Sequence, residues 1–164
     1  MNKKFLIGFI LFMVVIIGAV VVVAGNGSQR ASVQKTVGAK ITLDHTSKDL
    51  GDIPYEKGIT YHSFQFQNAG TATLEVINIK TSCMCTNAFF KQNGKESPQF
   101  GMSTPPSDWK GLLKPGEKAE IVAAFDAKYH GPQGVGPIAR TVSFETNDPD
   151  HPYVEFNFNG TVVK

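Results

Sequence analysis

Two cysteines stand one residue apart in Thr81-Ser82-Cys83-Met84-Cys85-Thr86, and they are the only two in the 164-residue chain. Sulfurs at that spacing have three roles open to them: a redox-active disulfide, a clip for a soft metal ion, or buried thiols that pack as small apolar side chains. In an extended segment residues i and i+2 share a face, so both thiols can reach one ligand while Met84 points away. A bridge between them requires a kinked backbone, because the Cα atoms must come within about 6.8 Å. It would close so short a loop that little unfolded-state entropy is removed, which makes it a weak staple and an exchange-prone pair. For a metal, Met102 and His130 are the further candidate ligands, since thiolate and thioether donors favour Cu(I) and imidazole accepts it. No other cofactor is expected, and the spacing leaves all three readings open.

The remaining histidines carry less. His62 alternates with Phe64 and Phe66, which predicts a position at the edge of a core with a hydrogen-bonded partner. His45 and His151 fall in predicted loops. His130 lies in Tyr129-His130-Gly131-Pro132-Gln133-Gly134-Val135-Gly136-Pro137, and loops of that composition are where a rigid scaffold commonly carries binding groups. The chain lacks Gly-x-Ser-x-Gly, Gly-x-x-x-x-Gly-Lys and an acidic pair at acid/base spacing, so hydrolase and nucleotide chemistry have no starting point. A thiol-redox role is the single enzymatic candidate.

The elements that must position these residues begin after an apolar stretch. Lys3 and Lys4 precede an uncharged run from Phe5 to Ala24, which as a helix covers roughly 30 Å, the thickness of a bilayer's hydrocarbon core. The expectation is a membrane anchor over residues 1–24 with Lys3 and Lys4 in the cytoplasm and all that follows outside, in the periplasm or at the cell surface. The alternative is a signal peptide removed after Val22-Val23-Ala24, leaving a secreted domain. Beyond residue 30 the chain holds 13 basic and 14 acidic residues, because Lys3, Lys4 and Arg30 account for the other three cations. So balanced a domain has no basic stripe for nucleic acid, which is not an expected partner.

Residues 25–40, rich in Gly, Ser, Gln and Lys, read as a flexible linker. Residues 41–164 read as one all-β domain. Phe64 and Phe66 alternate with Ser63, Gln65 and Gln67; Leu74 and Val76 give way to Ile77 and Ile79, a change of face that predicts a bulge near Asn78 or a strand buried on both sides. Ala119, Ile121, Ala123 and Phe125 are interleaved with Val122 and Ala124, as in a central strand. Val142 and Phe144, then Val154, Phe156, Phe158 and Val162, supply two more. Leu113 to Glu117 and Asn147 to Pro152 are turns whose prolines and glycine cannot continue a ladder. About seven such strands predict an immunoglobulin-like β-sandwich, with an open barrel as the alternative.

Five short motifs occur in order: Leu50-Gly51-Asp52-Ile53, Phe64-Gln65-Phe66-Gln67-Asn68-Ala69-Gly70, Ser82-Cys83-Met84-Cys85-Thr86, Leu113-Lys114-Pro115-Gly116-Glu117 and Thr146-Asn147-Asp148-Pro149. Together they give residues 41–163 a sequence that resembles the domain of unknown function family 1573. The resemblance implies an exported immunoglobulin-like sandwich, akin to domains of ciliary and centrosomal scaffolds, and no established reaction. Met84 stands where that family usually has Gly, and the stretch after Thr86 is longer than its usual connection. That stretch, residues 87–111, reads as an irregular insertion carrying Phe89, Phe90, Phe100, Met102 and Trp109, a set suited either to an adaptable contact surface or to a local lid. Two functions follow as expectations. One is a membrane-tethered binding or assembly module that meets an envelope protein through Phe89, Phe90, Phe100 and Trp109 or an open sheet edge. The other is an envelope redox or copper-binding protein that uses Cys83 and Cys85, with Met102 or His130 as auxiliary groups.

Overall fold

Strands account for most of the ordered chain beyond its first helix, and their alternation is the one the sequence predicts. The computed structural model describes residues 2–25 and 30–164; the Asn26-Gly27-Ser28 portion of the predicted linker and the side chains of Val22-Val23-Ala24 lie outside the described residues. Helix α1 runs Lys3–Gly25. Its described side chains within the apolar run, those of residues 7–20, are all exposed, so the rest of the chain covers none of them. Among the described residues no helix is long and apolar enough to cross a membrane.

The strands are β1 (Ile41–Leu43), β2 (Ser47–Pro54), β3 (Ile59–Asn68), β4 (Leu74–Thr81), β5 (Thr86–Gln92), β6 (Lys95–Glu96), β7 (Phe100–Gly101), β8 (Gly111–Leu113), β9 (Lys118–Asp126), β10 (Gly136–Thr146) and β11 (Tyr153–Val163). They form two sheets, one ordered β1-β3-β9-β5-β6 with β7 also on β5, the other β2-β11-β10-β4-β8. All pairs are antiparallel except β2 with β11. Seven strands are long and four have only two or three residues, which reconciles the predicted seven with the eleven segments among the described residues.

Period 2 builds the core. Phe64 and Phe66 of β3, Ile121 and Phe125 of β9, and Val142, Phe144, Phe156 and Phe158 of the facing sheet are buried in one cluster. Aromatic contacts run through it: Phe64 stacks on Phe156 at 4.6 Å, Phe156 meets Phe144 at 5.5 Å, and Phe144 meets Phe66 at 5.7 Å. β9 lies between β3 and β5, and its Val122 and Ala124 are buried as well, the two-faced burial expected of an interior strand. The bulge falls where the change of face predicts it. Asn78 has φ 54°, and the β4–β10 register shifts opposite it. Its amide donates to the Ala31 carbonyl at 3.1 Å and to Glu145 at 3.0 Å.

Two sequence expectations differ from the structure. The flexible-linker reading fails for residues 31–40, which lie along the sandwich: Ala31 N–H donates to the Ser107 carbonyl (2.8 Å), Thr36 N–H to that of Asn147 (2.8 Å), and Ala31 and Ala39 are buried. Small side chains that looked like spacers let this backbone approach closely. The supposed insertion also holds strands: most of β5, together with β6 and β7, falls within it. Phe89 pairs with Val122 and Phe90 with Ile121, so β5 is a full member of the first sheet. Both phenylalanines are buried on opposite faces, which hid the period-2 signal. Phe90, Trp109 and Phe100 form a lid cluster with centroids 5.4 and 5.2 Å apart. Phe89, Phe90 and Phe100 are buried and Trp109 packs on the core, so these four residues are not an exposed partner-binding surface.

Candidate functional site

The chain crosses from one sheet to the other between β4 and β5, and Cys83 and Cys85 sit in that crossing. Thr81, the last residue of β4 and buried, directs its hydroxyl at the Cys83 carbonyl (3.1 Å) and the Thr86 carbonyl (2.8 Å). Ser82 exchanges bonds with β10, its N–H donating to the Thr141 carbonyl and its hydroxyl accepting from Thr141 N–H, both at 2.9 Å. On the far side Thr86 N–H returns to the Cys83 carbonyl (3.1 Å), and Asp126 N–H, at the end of β9, donates to that of Cys85 (2.9 Å). The backbone therefore turns at the cysteines instead of continuing extended. That turn brings the two Cα atoms to 5.2 Å, and the cysteines are joined as a disulfide. Of the three readings open in the sequence, two free buried thiols are excluded.

Each sulfur faces a nitrogen from another element. Cys83 Sγ, half-buried, is 3.6 Å from His130 Nε2. Cys85 Sγ, buried, accepts the Nε–H of Arg140 at 3.0 Å, and the same guanidinium lies over the Phe125 ring at 5.8 Å. His130 comes from the loop after β9, and Gly134 lets that loop fold against it: a Cβ there would lie 2.9 Å from His130 Cβ. The sulfurs of Cys83 and Cys85 and an imidazole nitrogen of His130 all lie within 4.8 Å of one another. Met84, between the two cysteines in the turn, is exposed. It shares a surface depression with Met102, Asn87, Gly101, Ser103, Thr104 and Pro105.

So the structure unites Cys83, Cys85 and His130, places Met102 beside Met84, and adds Arg140, which sequence reasoning missed. Arg140 lies 55 residues from Cys85, and the pairing of β4 with β10 is what aligns them. The Arg140 guanidinium at Cys85 Sγ suits thiolate chemistry, because a cationic donor stabilises a sulfur anion more than a disulfide.

A second polar cluster was also missed. Asp44 Oδ2 holds His45 Nδ1 at 2.8 Å, and His45 Nε2 meets His62 Nε2 at 3.0 Å. His62 stands edge-on to Phe64 at 4.6 Å. Burial, reinforced by the neighbouring His45 and Lys48, holds the His62 imidazole below its ordinary value. His62 thus has the hydrogen-bonded partner expected at a core edge.

These features define a two-sheet β-sandwich with a one-residue-spaced disulfide at the crossing between its sheets. Residues 41–98 match the model of the family described as protein of unknown function, DUF1573, which supports the resemblance seen in the sequence. A protein of unknown function from Porphyromonas gingivalis W83 superposes with a TM-score of 0.56 at 19% identity, covering 80% of this chain and 50% of that one. The chain thus spans half the length of that relative, and the likeness is one of fold. The PapD-like domain 7 of human CEP192 gives a TM-score of 0.47 at 16% identity, over 85% of this chain and 96% of the domain. No curated protein matches the sequence.

Proposed function

We propose that this protein is a membrane-tethered β-sandwich on the outer side of the membrane whose Cys83–Cys85 pair exchanges between disulfide and dithiol with a partner protein of the cell envelope. The observation that carries the reading is the convergence of His130 Nε2 on Cys83 Sγ at 3.6 Å and of Arg140 Nε on Cys85 Sγ at 3.0 Å. A purely structural staple has no need of a guanidinium and an imidazole at its sulfurs, and a loop spanned by one residue gives it little entropic leverage. Exchange needs an accessible sulfur, and Cys83 is the more exposed of the two.

The tether rests on the sequence, whose uncharged run from Phe5 to Ala24 would as a helix cover roughly 30 Å; the described side chains of that run, residues 7–20, find no cover in the sandwich. A disulfide is at home in an oxidising compartment, which agrees with that orientation. The binding reading joins the redox one at Met84 and Met102: two exposed, flexible thioethers beside the bridge form an adaptable surface on which an exchange partner can dock. The test is maleimide trapping of the full-length chain in intact membranes after brief exposure to a dithiol reductant. The expected result is rapid, reversible modification of both cysteines and a mixed disulfide with an envelope protein in the Cys85→Ser variant. A bridge that stays closed under conditions that open exposed disulfides, with no mixed disulfide formed, refutes the proposal.

A further inference from the structure

We infer that the reduced pair and His130 form a three-donor site for a soft monovalent ion, Cu(I), a step that rests on the redox reading because disulfide sulfurs offer no thiolate. The three donor atoms already lie within 4.8 Å of one another, with 3.6 Å between Cys83 Sγ and His130 Nε2. At bond lengths of about 2.3 Å to thiolate and 2.0 Å to imidazole, as for another closed-shell d10 ion, a trigonal site needs roughly 3.7 Å between sulfur and nitrogen. Breaking the bridge lets the sulfurs separate to the roughly 4 Å that the same geometry asks for, and the 5.2 Å Cα spacing accommodates this. Only His130 would then need to hold its place, and the approach of Gly134 to its Cβ holds it.

The donor set selects the ion. Two thiolates and one imidazole, with no carboxylate in the cluster, suit Cu(I) over hard divalent ions, and Zn(II) in closed sites takes four protein ligands. Charge agrees as well: Cu(I) with two thiolates carries one net negative charge, and the Arg140 guanidinium at Cys85 Sγ offsets it. The path is open, because Cys83 is half-buried and His130 exposed.

Occupancy is gated by oxidation state. Two thiols of an external dithiol give two electrons and two protons to the Cys83–Cys85 bond, which breaks to two thiols while the donor leaves as its own disulfide. Cu(I) then displaces both thiol protons to solvent. In the bridged state the site is closed to metal.

The experiment uses the full-length chain in detergent, reduced with a phosphine that is then removed under argon and titrated against Cu(I) bicinchoninate. One Cu(I) per chain is expected for the reduced protein and none for the bridged one, with X-ray absorption showing two sulfurs and one nitrogen at the metal. Cys83→Ser should abolish uptake. His130→Gln, which leaves the bridge and hence the fold intact, should weaken it at least tenfold and remove the nitrogen signal. Failure of the reduced wild type to take Cu(I) from the competitor, uptake unchanged in His130→Gln, or tighter binding of Zn(II) than Cu(I) overturns the inference. Maleimide counting of the same samples separates the two ideas: two trappable thiols with no Cu(I) bound defeats the metal site and leaves the redox reading standing.

Discussion

Arg140→Met removes the one charged hydrogen bond to Cys85 Sγ, made at 3.0 Å, while keeping an unbranched apolar stem over Phe125. A hydrogen bond to a charged group contributes about 1.5–3 kcal/mol, and because Arg140 is half-buried the lower part of that range applies. The guanidinium stabilises the thiolate of the reduced state more than the neutral disulfide, so its loss disfavours reduction. For a two-electron couple 1.4 kcal/mol corresponds to about 30 mV, and the pair should become about 30 mV more reducing. Arg140→Lys, which keeps the charge without the planar fork, should recover part of the shift. The assay equilibrates the full-length chain in glutathione buffers of graded ratio, quenches with acid, labels with maleimide and counts thiols by mass. A potential that moves by less than about 10 mV, or toward more oxidising values, would refute the assignment of Arg140 to the reduced sulfur.

Further expectations concern the scaffold. Thr81→Val keeps the shape of the side chain but removes the hydroxyl that donates to the Thr86 carbonyl and leaves the Cys83 carbonyl with the Thr86 N–H alone; a loss of about 1–3 kcal/mol is expected in urea unfolding, with no change in slope. Phe156→Ala empties the centre of the aromatic stack between Phe64 and Phe144 and should cost about 3–5 kcal/mol by the same measurement. Burial pushes the Asp148 carboxyl up, but bonds from Ile41 N–H, Asp150 N–H and His151 outweigh it and hold the group below its ordinary 3.8. Its contribution is therefore present above about pH 4 and disappears as pH falls through the lower folded value, an acid limb that Asp148→Asn should flatten in thermal melts. His62 acts one step earlier: below its ordinary 6.5 the unfolded chain binds a proton that the folded chain resists, so stability should fall as pH drops from 6.5. His62→Gln should remove that slope, and a pH-independent wild type between 5 and 6.5 would contradict it.

The period-2 alternation of Phe64, Phe66, Val142, Phe144, Phe156 and Phe158 determined a two-sheet sandwich, because strand geometry alone sends such residues to one face. The face change at Asn78 and the doubly apolar run of β9 were legible for the same local reason. The cysteine spacing and the loop carrying His130 singled out three residues that the fold brings together. Tertiary structure decided everything that depends on register between distant strands. Pairing of β4 with β10 aims Arg140 at Cys85, and the loop after β9 brings His130 to Cys83. The fold also decided between the two readings of residues 87–111 in favour of the lid and made their first residues a covered strand, since a strand buried on both faces loses its alternation. Sequence states which side chains share an element, whereas the distances between elements, on which thiolate and metal chemistry depend, exist only after the sheets have packed.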